Sequence, residues 1–461
     1  MFDKEIYEAR RKKLKEQISS GLILFLGNDE SPMNYGANTF HFRQDSSFLY
    51  FFGLDFPGLA AVIDIDNDRE IIFGYDFTVD DMVWMGPQEK LAAKAEKVGV
   101  GQVEPTEKLA ELIPAALKQR RKIHFLPQYR PENLIKIETL TGIRHDVVND
   151  YASAELIKAV VAQRSIKSDA EVKEIELALE ISRDMYDLAL KLTKPGIYEH
   201  EVYGQIEGLL LSRGSAISFP IILTVRGEVL HGHSHANRMK EGDLLVLDSG
   251  AESPLHYASD ITRTYPVTGK FTPLQKEIYS VVLNAQLEAI RMMKPGVLFR
   301  DVHLHAARVI ADGLKQLNFM KGNLDDAIKE GAHALFFPHG LGHQLGLDVH
   351  DMEGLGENFV GYNANIQRSQ QFGLAYLRFA KELQPGHVLT VEPGIYFMPE
   401  LIRQWKTEKK HAQFINYDKV ERTIGFGGIR IEDDVLVTAQ GHRVLGSPIP
   451  KAVPEIEKPL S

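Results

Sequence analysis

The sequence predicts an α+β protein built from two domains of unequal size. At 461 residues, of which 44% are apolar, the chain exceeds one ordinary core and has ample material for two. Its first 150 residues mix short apolar runs with helical patterns, whereas the remainder groups its helices and its strands. Such grouping is typical of α+β architecture and not of a doubly wound parallel sheet. We expect domains at residues 1–160 and 161–461.

The first domain is predicted to be a small α/β unit. After a charged opening helix, apolar segments that fit strands are followed by an alternation of strands and helices. The strand segments are 21–26, 48–52, 60–65, 70–73 and 122–125, and the helical segments are 88–98 and 107–119.

The second domain begins with a helix start signal. Ser168 and Glu171 have the spacing of a capping box, and Pro195-Gly196 closes the amphipathic stretch 168–192. The pattern that follows predicts a helix at 199–213, strands within 218–268, helices at 273–293 and 299–317, and strands from 334 onwards.

Composition excludes several kinds of site and partner. The chain has no cysteine, so disulfides, thiolate zinc sites and cysteine nucleophiles are excluded, and a metal site must use carboxylates and imidazoles. Such ligands favour manganese, cobalt or zinc. The formal charge of −10 disfavours nucleic acid, and no run approaches the ~20 apolar residues of a membrane span. We therefore expect a cytoplasmic protein without nucleic-acid or membrane partners.

Two acids interrupt apolar segments on either side of Pro254. Asp248 follows the run LLVL, and Asp260 stands in YASDITRTY. A hairpin turning at Pro254 would place the two acids opposite each other, roughly 5 Å apart at Cα. Facing carboxylates in an interior need a shared proton, a basic partner or a divalent cation. Solvent-facing acids beside a turn are the alternative interpretation.

A second pair of acids repeats this pattern near the end of the chain. Glu392 stands in VLTVEPGIYF and Glu432 in GIRIEDDVLV, and both segments predict apolar strands. Lone acids inside such strands are rare unless they are paired or bind metal. Arg430 shares a strand face with Glu432, so we expect it to orient a carboxylate or bind substrate, or else to form a structural salt bridge.

Histidines cluster in the glycine-rich segment PHGLGHQLGLDVHD. His339 and His343 have the spacing of a zincin pair, but no glutamate follows His339, and the intervening Gly-Leu-Gly disfavours a helix. The glycine spacing also misses the dinucleotide fingerprint. Satisfied core histidines are the alternative interpretation, which the density of histidine and glycine in this segment disfavours.

A second histidine cluster, His231, His233 and His235, lies in LHGHSH. Alternate positions could share one strand face and bind zinc unaided, as in amidohydrolase barrels. Those barrels are parallel and need repeated βα units, which the chain does not show.

Four carboxylates with histidine favour a two-metal site. Four negative charges offset two divalent cations, and two adjacent cations can activate water and stabilise a tetrahedral oxyanion. Peptide hydrolysis is the reaction that we expect from such a site.

These segments resemble the pita-bread metallopeptidases, family M24, which include methionine aminopeptidase, aminopeptidase P and prolidase. The segments LDSGAESPLHYASDITRTYPVTGKFT, PHGLGHQLGLDVHD, LTVEPGIYF and GIRIEDDVLVT occur in the family's order, and the likeness extends over most of residues 165–445. The resemblance implies a pita-bread catalytic domain with two divalent ions, most often Mn²⁺. It implies that Asp248, Asp260, His343, Glu392 and Glu432 are the metal ligands.

The same resemblance implies roles for residues around the metals. Glu392 would accept a proton from the attacking water, and His339 or His350 would stabilise developing charge. His231, His350, Arg378 and Arg430 would bind substrate. His233 and His235 have no counterpart that the resemblance identifies.

The N-terminal segment FRQDSSFLYFFG resembles the N-terminal domain of aminopeptidase P, which selects enzymes directed at proline. The segment 377–386 and the insertion 398–425 resemble eukaryotic-type prolidase. Arg378 falls where such prolidases carry an arginine for the C-terminal carboxylate of a dipeptide, although a surface arginine is the alternative. We expect an exopeptidase that cleaves Xaa-Pro peptides, with a lean to dipeptides, and a homo-oligomer.

Two other interpretations keep the fold and change the function. Some relatives of the family retain the pita-bread domain as a binding module, but they lose metal ligands, and all five are present here. A creatinase-like or organophosphate hydrolase is the other alternative.

Overall fold

A computed structural model describes residues 1–457 and divides them into two compact units. The first contains Met1–Arg164 and Glu353–Phe359, and the second contains Ser165–Met352 and the chain from Val360 onwards. Within the described residues, no helix combines the length and apolarity needed to cross a lipid bilayer.

The first unit is organised around a five-stranded mixed sheet. Its strands, in spatial order, are Gln102–Pro105, Arg69–Gly74, Ala60–Asp64, Leu22–Leu26 and Ile123–His124. A separate hairpin pairs Pro32–Tyr35 with Asn38–Thr39. The helices are Lys4–Lys15, Ser46–Phe52, Val79–Met85, Leu91–Glu96, Leu109–Lys118, Pro131–Thr141 and Ala154–Arg164. Apolar strand residues such as Leu24, Val62 and Phe73 pack against Ile113 and Ile137 of two helices to form the core.

The predicted strand at 48–52 is wrong, because Ser46–Phe52 is a helix. The Asp45 side chain caps it by accepting from Phe48 N, and Gly53 ends it in the left-handed region at φ 61°. All seven helical residues are buried, so the apolar run carries no periodicity that distinguishes a helix from a strand. The cap residues were the only local signal for the helix.

The second unit combines long helices with short antiparallel sheets. Its helices are Asp169–Leu192, Glu199–Ser212, Pro273–Met292, Phe299–Gln316, Leu324–Glu330, Pro399–Thr407, Tyr417–Glu421 and Val453–Ile456, and the short helix Glu357–Val360 spans the boundary with the first unit. The first of these confirms the predicted capping box of Ser168 and Glu171. The sheets contain, in spatial order, Ile261–Pro266, Leu244–Ser249 and Ile222–Thr224; Val388–Val391, Asp433–Val437 and His442–Val444; and Gly394–Tyr396 with Gly428–Arg430.

The hairpin that carries Asp248 and Asp260 turns one residue later than predicted. Asp248 pairs with Thr262, and the bridge between Glu252 and Ala258 continues the same register. Asp260 therefore stands opposite Gly250 and diagonal to Asp248 on the same face of the hairpin. A Cβ at Gly250 would lie 1.8 Å from Ser259 O, so only glycine allows this close pairing.

Glu392 and Glu432 lie at interruptions of strands, whereas the sequence predicted them inside strands. Glu392 follows Val391 and precedes Pro393, which cannot donate a backbone hydrogen bond. On one side of the two interruptions Val391 pairs with Asp433, and on the other side Gly394 pairs with Arg430. Both pairs have the same register. This register puts Glu392 opposite Glu432.

Candidate active site

A cavity of about 660 Å³ in the second unit brings together every site residue that the sequence predicts. The acids Asp248, Asp260, Glu392 and Glu432 lie at its base on strand ends. The remaining predicted residues in its lining are His231, His339, His343, His350, Arg378 and Arg430.

Two of the acids, Asp260 and Glu432, converge with His343 on one position, and several acid oxygens keep no hydrogen-bond partner in the described chain. Ligand atoms of Asp260, His343 and Glu432 lie within 4.8 Å of one another, and His343 Nε2 is 3.4 Å from Asp260 Oδ2 and 3.7 Å from Glu392 Oε1. One oxygen each of Asp248, Asp260 and Glu432 is buried without a hydrogen-bond partner in the described chain. Buried carboxylate oxygens that lack partners are costly, and divalent cations would satisfy them. The donor set of hard oxygens with one imidazole fits such ions.

The pKa values of the site residues reflect the crowding of four acids. Burial and the negative charges of neighbouring acids raise the pKa of Asp260 and of Glu432 well above the usual range. Burial likewise raises the pKa of Glu392 to about 7, although Arg430 opposes the shift. The pKa of His343 is lowered well below its usual value, chiefly by burial. Its imidazole is therefore neutral near pH 7, as a metal ligand must be.

Hydrogen bonds from neighbouring groups orient the acids and His343. His343 Nδ1 donates to Gln344 O at 3.1 Å, because a carbonyl can only accept, and this directs Nε2 toward the acids. Thr262 Oγ1 donates to Glu432 Oε2 at 2.7 Å. Arg430 Nη2 donates to Asp248 Oδ2 at 2.5 Å.

Arg430 and Tyr396 form a short relay that ends at His339. Arg430 Nη1 donates to the Tyr396 hydroxyl at 2.9 Å, and that hydroxyl lies 2.9 Å from His339 Nε2. His339 Nδ1 donates to Gly340 O at 2.7 Å, so Nε2 accepts from Tyr396. Burial and the Arg430 charge lower the pKa of His339 to about 3, which keeps it neutral. Both ring nitrogens are engaged within the protein, and the predicted charge-stabilising role of His339 would require one to be released.

The outer part of the cavity carries the predicted substrate residues. The imidazole rings of His343 and His350 lie 4.1 Å apart at their centroids. Burial lowers the pKa of His231, as does the positive charge of Arg430. Arg378 lines the same cavity, and its positive charge opposes the rise in the pKa of Glu392 and adds to the lowering of the pKa of His231 and His343.

The second histidine cluster does not form the strand face that an independent zinc site would require. Residues 231–235 lie in a loop. His235 stacks on Tyr203 with centroids 4.3 Å apart, and its Nδ1 lies 3.1 Å from Leu223 O. His233 lines the cavity, whereas His235 has a structural contact.

Sequence reasoning missed several aromatic residues of the cavity region. Tyr396, two residues after Pro-Gly in LTVEPGIYF, carried no polar signal to distinguish it from its apolar neighbours. Phe372 and Tyr376 line the cavity, with ring centroids 6.0 Å apart, on a segment without sequence periodicity. Trp405 of the insertion packs on Phe372 at 5.9 Å, so the insertion supports this wall of the cavity.

Comparison with known proteins agrees with the sequence resemblance. Residues 173–439 match the model of metallopeptidase family M24, and residues 7–124 match that of the aminopeptidase P N-terminal domain. Xaa-Pro dipeptidase of Homo sapiens is 33% identical over 98% of this chain and 92% of its own length. A probable Xaa-Pro aminopeptidase of Aspergillus niger is 32% identical over 95% of this chain and 92% of its own length.

Solved structures give the same result. Aminopeptidase PepP of Pseudomonas aeruginosa superposes with a TM-score of 0.81 at 27% identity, over 99% of this chain and 97% of that one. Zinc-substituted aminopeptidase P of Escherichia coli, in complex with product, gives a TM-score of 0.80 at 28% identity, over 99% and 98%. These structures confirm the predicted fold class, a pita-bread domain preceded by a smaller α/β domain.

Proposed function

Because the chain belongs to metallopeptidase family M24, we propose that it is a metal-dependent exopeptidase that hydrolyses the bond between an N-terminal residue and a following proline. The relatives named above, an Xaa-Pro dipeptidase and a probable Xaa-Pro aminopeptidase, support this substrate class. Proline has a tertiary amide without an N–H and a rigid ring, so its peptides need a shaped cavity.

One observation carries the proposal. Asp248, Asp260 and Glu432 each have one buried oxygen without a partner in the described chain, and all three line a cavity that Arg378 also lines. Buried acid oxygens without partners, in a cavity that also offers a cation for a carboxylate, suit a metal-dependent reaction on a small charged peptide. A binding module without catalysis would not need such a cluster.

The metal ligands in this proposal are Asp248, Asp260, His343, Glu392 and Glu432, and Mn²⁺ is the ion that we propose. Divalent ions there would supply Lewis acidity, which lowers the pKa of water and polarises the scissile carbonyl. Glu392, which lines the same cavity as the other acids, is the group that we propose to accept the proton of the attacking water. His350 and His231 would hold the substrate.

Arg378 is the residue that we propose to select dipeptides. A guanidinium that meets a carboxylate directly after proline would favour peptides that end there. The segment is firmly held, since a Cβ at Gly361 would lie 1.9 Å from Arg378 O and the Tyr362 hydroxyl donates to Leu377 O. A fixed backbone limits where the guanidinium can reach.

The test compares Ala-Pro with Ala-Pro-Ala in the Mn²⁺-loaded enzyme. A charge-assisted hydrogen bond is worth about 1.5–3 kcal/mol, so Arg378→Ala should lower kcat/KM for Ala-Pro by about 10- to 150-fold. Hydrolysis of Ala-Pro-Ala should change far less. Arg403→Ala, at an exposed arginine of the insertion helix Pro399–Thr407, is the matched control. Equal loss on both peptides, or no preference for Ala-Pro in the wild type, would refute the dipeptide proposal.

We also propose that the chain forms a homo-oligomer. Helix Val79–Met85 exposes Val83 at 73%, Trp84 at 85% and Met85 at 66%. A large apolar patch of this kind is typical of an interaction surface. Light scattering coupled to size exclusion should give a multiple of 51.9 kDa, and Trp84→Lys should lower the mass. A wild type that stays monomeric at high concentration would contradict this.

A further inference from the structure

A buried ion pair contacts the histidine-bearing loop 339–351 at residues that do not line the cavity. Lys167 Nζ donates to Asp351 Oδ2 at 2.9 Å, and both side chains are only 1% exposed. Lys167 Nζ also lies 3.4 Å from Gln344 Oε1. Lys167, Gln344 and Asp351 lie outside the lining of the cavity, so they act on it only through their neighbours.

Those neighbours are His343 and His350, which both line the cavity. Asp351 directly follows His350, and Gln344 directly follows His343. Gln344 O accepts from Asp351 N at 2.9 Å and from His343 Nδ1 at 3.1 Å. One ammonium therefore binds the two ends of the turn that carries His343 and His350, and a shift of either end moves an imidazole.

Lys167 itself is fixed to rigid elements. Its backbone N donates to Gly386 O at 2.9 Å, and the next residue, Ser168, caps helix Asp169–Leu192. Ser165 Oγ accepts from Gln344 Nε2 at 3.2 Å, which adds a second link from the same segment to the loop.

The packing around the ion pair leaves no room for adjustment. A Cβ at Gly346 would lie 2.5 Å from Asp351 Oδ2 and 3.0 Å from Lys167 Cε, so the loop folds tightly over both side chains. Gly346 O in turn accepts from Ala258 N at 2.8 Å, two residues before Asp260. The contact thus connects the histidine loop to the hairpin that carries the acids.

A buried ion pair adds little net stability compared with an apolar pair of similar volume, because two charges must lose their water. A better-attested use of such groups is to fix one geometry among several. We propose that Lys167 is a positioning residue, which holds the histidine-bearing loop 339–351 so that His343 and His350 face the acids. The proposal rests on the proposed function, and it assigns to Lys167 an effect on metal binding and turnover.

The test uses the full-length holoenzyme and the variant Lys167→Met, which keeps most of the side-chain stem and removes the ammonium. Loss of an outer-shell partner typically costs about 10- to 100-fold in metal affinity or activity. We expect losses of this size in kcat on Ala-Pro and in Co²⁺ affinity, with an altered visible absorption spectrum of bound Co²⁺. KM should change far less than kcat.

Lys15→Met is the matched control, since it removes an ammonium that pairs with Asp68 and Glu70 in the first unit. It should retain wild-type kcat and Co²⁺ spectrum. If Lys167→Met is indistinguishable from Lys15→Met in kcat and Co²⁺ affinity, the positioning role is refuted.

The double variant Lys167→Met/Asp351→Asn separates positioning from fold stability, and it remains available if the single variant does not fold. It removes both buried charges, so its thermal midpoint should return toward that of the wild type while kcat and Co²⁺ affinity stay low. Joint recovery of midpoint, kcat and affinity would mean that the ion pair only stabilises the fold, and would overturn the proposal. Failure of the peptidase proposal would appear differently, as a wild type without turnover, and the Co²⁺ spectra would still test the positioning role of Lys167.

Discussion

Two buried histidines of the second unit predict a specific loss of stability in acid. His303 lies on helix Phe299–Gln316 and His333 in the turn Ala332–Leu335, and both are fully buried. Their ring nitrogens have no hydrogen-bond partner in the described chain. Burial lowers the pKa of His303 to about 3, with help from His333 and His339, and that of His333 to about 4, with help from His411.

The direction of the pH effect on the free energy of unfolding depends on which state binds more protons. Below pH 6.5 the unfolded chain protonates both imidazoles, whereas the native state keeps them neutral until about pH 3–4. Their stability contribution is therefore complete above pH 6.5 and lost as the pH falls. Between pH 7 and pH 5, an unfolded pKa of 6.5 gives a loss of about 2 kcal/mol per histidine in the free energy of unfolding.

The assay is urea unfolding at pH 7 and pH 5, in wild type and in His303→Leu. The chain has two tryptophans, Trp84 in the first unit and Trp405 in the second, so a Trp84→Phe background makes fluorescence report the unit of His303. The decrease in the free energy of unfolding from pH 7 to pH 5 should be about 2 kcal/mol smaller in His303→Leu than in the wild type. Equal losses in both proteins would refute the argument, since the other titrating groups cancel in the comparison.

Three further predictions concern the site. Glu392→Gln should lower kcat on Ala-Pro by about 10²- to 10⁴-fold, the usual cost of losing a general base, with an unchanged far-UV circular dichroism spectrum; a loss below tenfold would exclude the proposed role. Tyr396→Phe leaves Arg430 Nη1 without its buried acceptor, so kcat/KM should fall by about tenfold or more, and wild-type kinetics would contradict the relay. Gly250→Ala should lower the thermal midpoint and weaken Mn²⁺ binding, because Ser259 O would lie 1.8 Å from the new Cβ. The control Gly204→Ala, which has open space in helix Glu199–Ser212, should stabilise the protein by about 0.5–1 kcal/mol. Similar midpoints for the two variants would contradict the close pairing at Gly250.

The sequence allowed the candidate site residues to be proposed because their chemistry conflicts with their local context. Acids in apolar segments, such as Asp248 and Glu432, and glycines beside His343 are improbable without a reason that local folding does not provide. The structure brings these residues into one cavity, although Glu392 and Glu432 lie at breaks between strands and not within them.

The parts that sequence could not predict depend on contacts between distant segments. Tyr396 and Lys167 look like ordinary core and linker residues until the fold brings them to Arg430 and Asp351. The register of the hairpin depends on bridges near its turn, and Ser46–Phe52 is buried on all sides, which removes the periodicity that identifies a helix.

The most direct test of the central claim is metal content measured together with turnover. The full-length protein, reconstituted with Mn²⁺ and dialysed, should retain two ions per chain and hydrolyse Ala-Pro, and a chelator should abolish both until Mn²⁺ is restored. Fewer than one bound ion per chain, with no turnover of Ala-Pro or Ala-Pro-Ala, would contradict the assignment of Asp248, Asp260, His343, Glu392 and Glu432 as a catalytic two-metal site.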